Sequence, residues 1–211
     1  MKTIFTIVLQ LLAISLSQVS QAMSCKDAAT SAAAVNSMSQ VEPIIQVVKQ
    51  AALSFQSLRL KELEGPESVP GVIIAAIFAK AVAADLARLG KSDLSKEAQK
   101  TAVLLNDWIG LLTDGTKDIM RDNSLDLPDS TLSGADLMAE RFILVLDQVG
   151  KVEKGPNSIP ALIVAIEIAK KGTNHLRSMG REDLAKRVAD RNRIANDWLG
   201  YFSDGMLSRL P

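Results

Sequence analysis

The stretch Asn106-Asp107-Trp108-Ile109-Gly110 occurs a second time, ninety positions on, as Asn196-Asp197-Trp198-Leu199-Gly200. Each copy is closed by matching punctuation, Thr113-Asp114-Gly115 and Ser203-Asp204-Gly205. The two tryptophans of the chain are the two in these stretches. Outward from them the register of ninety holds without a gap. Gly155-Pro156, Ser158 and Pro160 answer Gly65-Pro66, Ser68 and Pro70, and Ala169-Lys170 answers Ala79-Lys80. Gly180 answers Gly90, and Asp183-Leu184 answers Asp93-Leu94. Between 61–120 and 151–210, 20 of 60 positions are identical, well above the few that chance would leave.

Each copy reads as three helices. In the first, Pro43 opens a segment whose apolar positions run from Ile44 to Leu58 and which stops at Gly65-Pro66. The second helix starts at Ser68-Val69-Pro70 and is apolar almost all round from Val72 to Ala84, broken by Lys80. Such a helix is buried on most sides. Its apolar run is too short for a comfortable membrane span, so it reads as the centre of a bundle. In the third, Leu94, Ala98, Thr101, Leu105, Trp108 and Leu112 recur at steps of three and four, an amphipathic stripe. Residues 122–132, rich in Asp, Ser and Pro, read as a linker. The expected fold is all-α, a tandem duplication of a unit of about ninety residues. It forms either two three-helix bundles or one pseudo-symmetric six-helix domain. The expected boundaries are a signal peptide over 1–22, a first repeat over 23–121, the linker, and a second repeat over 133–211.

Lys2, the apolar run Thr3 to Leu16 and the small residues of Ser20-Gln21-Ala22 have the layout of a cleaved secretory signal. The mature chain is then secreted and holds no stable membrane span. Cys25 is the sole cysteine, so it is either a free thiol or paired with another chain, a disulfide-linked homodimer being one such pairing. Charge is balanced, 24 basic against 24 acidic side chains, which argues against nucleic acid as a partner. Aromatics make up only 4%, too few for a stacking platform.

No catalytic or metal-ligating constellation stands out, and no cofactor is expected. His175 is the one histidine, and Asp85 occupies its place in the first copy. A lone histidine supports neither a triad nor a metal site. Lys80 and Lys170 are mid-helix charges in apolar surroundings. A lysine so placed either acts as a nucleophile or carries its head to the surface, and the second is the commoner. Trp108 and Trp198 lie on the expected core stripe and read as packing anchors, with the wall of a ligand pocket as the competing role. Asn106 and Asn196 sit on a stripe of small residues with Gly110 and Gly200, where an amide bridges to neighbouring backbone. Asp107 and Asp197 lack a shared local reason. Arg193 lies four residues before Asp197, but Val103 holds that place before Asp107. Capping the N-terminus of a neighbouring helix would account for both. Ser68, Ser158, Asp93 and Asp183 read as caps of their own helices. Arg191 replaces Thr101 on the stripe, which predicts a more open second core.

Trp108, Trp198, Asp107, Asp197, Asn106 and Asn196 are thus the candidate ligand-binding residues. The function expected is that of a secreted, non-enzymatic interaction or structural protein with a protein partner. The alternative is a carrier of a hydrophobic small molecule or lipid between the helices. A cavity of about 300 Å³ or more lined by residues of the second helices would mark the carrier. A filled core with an exposed apolar patch would mark the interaction protein. A polar cleft placing Lys80 or Lys170 beside a carboxylate would mark an enzyme.

Overall fold

A computed structural model describes residues 66–205. The segment read as a signal peptide, Cys25 and the helix expected from Ile44 lie outside the described residues. Five α-helices follow one another: α1 Val69–Arg88, α2 Ser92–Leu112, α3 Gly134–Val152, α4 Ile159–Ser178 and α5 Glu182–Phe202. Among the described residues there is no strand. The 3-10 turns Pro66–Ser68 and Gly155–Ser158 lead into α1 and α4.

Local chemistry explains the boundaries. Pro70 and Pro160 occupy the first turns of α1 and α4, where a missing N–H costs nothing. Past the ends of these helices, Gly90 and Gly180 take φ of 72° and 73°. The chain then closes back, with Lys91 N–H on Leu86 C=O at 2.8 Å and Arg181 N–H on Leu176 C=O at 2.9 Å. The Asp-Gly punctuation works differently. Asp114 and Asp204 adopt φ of 48° and 52°, and the glycines that follow are also left-handed. Asp tolerates this region better than most side chains. Gly115 N–H thereby reaches Gly110 C=O at 2.8 Å, and Gly205 N–H reaches Gly200 C=O at 2.7 Å.

The expected caps do not form. Ser68 and Ser158 stand at the N-cap positions without a side-chain cap bond. Ser158 Oγ instead donates to Gly155 C=O at 2.6 Å, closing the 3-10 turn. Asp93 and Asp183 lie inside the first turns, because Lys91 and Arg181 hold the N-cap positions. Asp183 is taken by Arg181, with Nε and Nη2 each 3.1 Å from a carboxylate oxygen.

α1 is long and apolar enough to cross a membrane by length and composition, with a mean hydropathy of 1.9 in its best window. That apolar surface is taken up inside the protein, 78% of the window being buried. α1 packs on α2, α3 and α4, and α4 packs on α3 and α5. The buried apolar residues form a single cluster that runs through all five helices. Near the start of α1, a Cβ on Gly71 would lie 3.0 Å from Pro160 C=O, so the two backbones approach closely there. On Gly172 a Cβ would fall 2.3 Å from the ring of Phe142, which stacks on Phe78 at 5.8 Å.

One buried ion pair ties α1 to α3. Arg141 Nε and Nη2 donate to the two carboxylate oxygens of Asp85 at 2.6 and 2.9 Å, with both side chains under 9% exposed. The third arm, Nη1, donates to Pro128 C=O at 2.7 Å. Such a bidentate fork satisfies a carboxylate fully, which a buried charge requires.

The connection from α2 to α3 is not a free tether. Ile119 and Leu127 are buried in the core, and Lys80 Nζ meets Asp126 at 2.7 Å and Ile119 C=O at 3.3 Å. Arg141 holds Pro128, and Arg88 donates to Leu132 C=O at 2.6 Å. Residues 122–132, expected as a linker, are therefore a strap pinned across α1 and α3. Its few apolar residues, Leu127 above all, are enough to anchor it.

Candidate interaction surface

On α2 the innermost residues are Ala98, Ala102, Leu105 and Ile109, and on α5 they are Val188, Asn192, Ala195 and Leu199. These sets are ninety apart, so both helices turn the same side inward. On α2 the expected stripe positions Ala98, Thr101 and Leu105 are buried, and the stripe is completed by Ala102 and Ile109 rather than by Trp108. Ile109 and Leu199 are fully buried, and the tryptophans follow about 100° behind, on the flank. Trp108 is half-buried and still touches the core, whereas Trp198 is 52% exposed. The role of core anchor thus fails for Trp198 and holds only in part for Trp108.

The outward faces carry more apolar surface than packing explains. On α2, Val103, Leu104 and Leu111 are exposed, Leu111 at 76%. On α5, Ile194, Trp198 and Tyr201 are exposed, Tyr201 at 74%. At the end of α5 three aromatics gather. Trp198 stacks on Phe202 at 5.5 Å and meets Tyr201 edge-on at 6.1 Å, and Tyr201 meets Phe202 at 5.6 Å.

Asp107 and Asp197 sit within these faces, both exposed. Among the described residues neither carboxylate has a hydrogen bond or an ion pair, so neither caps a helix. The pair of Asp197 with Arg193 does not form either. An arginine preceding an aspartate by four is the weaker order for such a pair. The capping role is accordingly withdrawn.

Asn106 faces elsewhere. Its Oδ1 accepts the Ile119 N–H at 2.6 Å and the Met120 N–H at 3.3 Å, the bridge to loop backbone expected of it. Asn196 is half-buried and also engaged. The small-residue stripe has a different outcome at Gly110. A Cβ there would meet nothing within 4 Å, so no backbone approaches it. The structure separates the six candidates: Asn106 bridges to loop backbone, Asn196 is engaged, Trp108 packs on the flank of the core, and Asp107, Asp197 and Trp198 are exposed.

Other places offer less. A cavity between α1 and α3, lined by Phe78, Val82, Leu86, Met138 and Phe142 among others, measures about 10 Å³, the space of a single water at most. A groove of about 530 Å³ opens between the 116–125 loop and the end of α3. Its walls are mostly polar loop residues, with Ile73 as the contribution of α1. Lys80 is spent on the strap. Arg191 is exposed and paired with Asp147 of α3, so it bridges two helices and does not open the core. His175 Nε2 is buried without a hydrogen-bond partner, and burial pushes the imidazole pKa down. Among the described residues no group of His, Cys, Asp and Glu is arranged to hold a metal ion.

Sequence reasoning missed the Asp85–Arg141 pair and the exposed apolar faces. The first had a signal: Asp85 and Arg141 replace His175 and Ala51 of the other copy, two departures at once. The second required the helix phase, which only packing sets. Comparison of the chain with protein-family models, with characterised proteins and with solved structures finds no match.

Proposed function

We propose that this chain is a secreted, non-enzymatic interaction protein, built by tandem duplication of a three-helix unit, that works through the outer faces of α2 and α5. The observation that carries this reading is the Asp set among exposed apolar residues on both helices. Leu104, Asp107 and Leu111 on α2 answer Ile194, Asp197 and Tyr201 on α5. The two copies differ at most surface positions, yet both keep a carboxylate that no group among the described residues uses. A function outside the chain explains that retention.

The duplication reading draws support from the elements. The bounds of α1 and α4, and of α2 and α5, are each ninety apart at both ends, and so are the left-handed residues that follow them. Two observations support an interaction protein over a carrier: the cavity between α1 and α3 measures about 10 Å³, and the groove of about 530 Å³ takes only Ile73 from α1.

Native mass spectrometry of protein purified from its source tests the function. Wild type is compared with Leu111→Asp and Trp198→Asp, both at exposed positions. The expected result is a protein partner whose mass disappears from the variants. A lipid adduct kept by all three proteins overturns the reading in favour of the carrier.

A further inference from the structure

The outer face of α5 is complementary to itself. Arg193 and Asp197 are both exposed, and among the described residues neither has a hydrogen bond or an ion pair. They lie two residues either side of Ala195, about 6 Å apart along the helix axis at 1.5 Å per residue. We propose that α5 packs antiparallel on α5 of a second copy of this chain, about a two-fold axis at the level of Ala195. A two-fold contact is reciprocal: what residue i meets on the partner, its counterpart meets in return. Arg193 of each copy then faces Asp197 of the other, forming two ion pairs. Ile194 of one copy lies within one helical turn of Trp198 of the other, so the apolar residues meet at the centre. Tyr201 falls over the exposed Asp190 and Arg187 of the second copy.

On α2 the matching register fails, because Val103 stands where α5 has Arg193. One helix pair buries less area than a standard stable interface, so the dimer is weak, with a Kd of about 10–100 µM. Exposed ion pairs add little affinity, and their part is to set the direction and register of the helices.

The proposal rests on reading the α5 face as an interaction surface, and charge exchange separates the two claims. Sedimentation velocity is run on the full chain under reducing conditions, which removes any disulfide through Cys25, from 5 to 500 µM (about a hundredfold range around the expected Kd). Wild type is expected to shift from monomer to dimer. Arg193→Asp and Asp197→Arg are each expected to weaken association at least tenfold. The double exchange, Arg193→Asp with Asp197→Arg, is expected to restore it. A wild type that stays monomeric throughout overturns the self-association proposal. So does a dimer indifferent to both single reversals. If such a monomer still loses a partner on Trp198→Asp, the broader reading of the face survives alone.

Discussion

At the scale of the residue, rank by size and rank by burial part company. Trp198 is the larger side chain, yet Leu199 beside it is the one with no exposed surface. Leu199→Ala is expected to cost about 2–5 kcal/mol of stability, and Trp198→Ala under about 1 kcal/mol, measured by urea denaturation. The reverse order would restore the tryptophan as core anchor. Asp107→Asn combined with Asp197→Asn is expected to leave Tm unchanged, since neither carboxylate is held by the fold. His175 supplies a pH dependence. Burial lowers its pKa from the usual 6.5, so the folded form resists a proton that the unfolded chain accepts. Stability is complete above 6.5 and falls as pH drops below that value, the direction set by excess proton binding in the unfolded state. His175→Gln should flatten the slope of unfolding free energy between pH 7 and 5.5. At lower pH the carboxylates take over. Arg181 holds both Asp136 and Asp183 below the usual 3.8, so their contribution is present above that pH and lost as the medium acidifies further.

At the scale of the element, the helices were legible and their fastening was not. The starts and stops of α1, α2, α4 and α5 follow from Pro70, Gly90, Asp114-Gly115 and their counterparts, all local effects. The strap between α2 and α3 depends on Asn106, Lys80 and Arg141, which are distant in sequence from what they hold. Arg141 is central because it neutralises Asp85 and carries Pro128 at once. Arg141→Ala leaves a buried carboxylate without its partner and is expected to cost about 3–5 kcal/mol. Replacing the pair together, Asp85→Leu with Arg141→Met, should recover most of the loss in chemical denaturation. If the double variant is as unstable as the single one, the strap contact to Pro128 matters more than the buried charge.

At the scale of the whole molecule, the described helices share one interior: α1, before the strap, packs together with α3 and α4, after it. Calorimetry is expected to show one cooperative transition, and a fragment ending at residue 121 should lack the protection from hydrogen exchange that α1 has in the full chain. Two separate transitions would point to independent bundles.

By itself the sequence determined the starts and stops of α1, α2, α4 and α5 and the ninety-residue register. Caps, turns and periodicity act over a few residues, and repetition is visible by comparison alone. The tertiary structure decided how deeply each side chain of the inward stripe is buried, because that depends on neighbours distant in sequence, as where Gly71 lets Pro160 approach. It buried Leu199 and left Trp198 half-exposed beside it, within the candidate interaction surface.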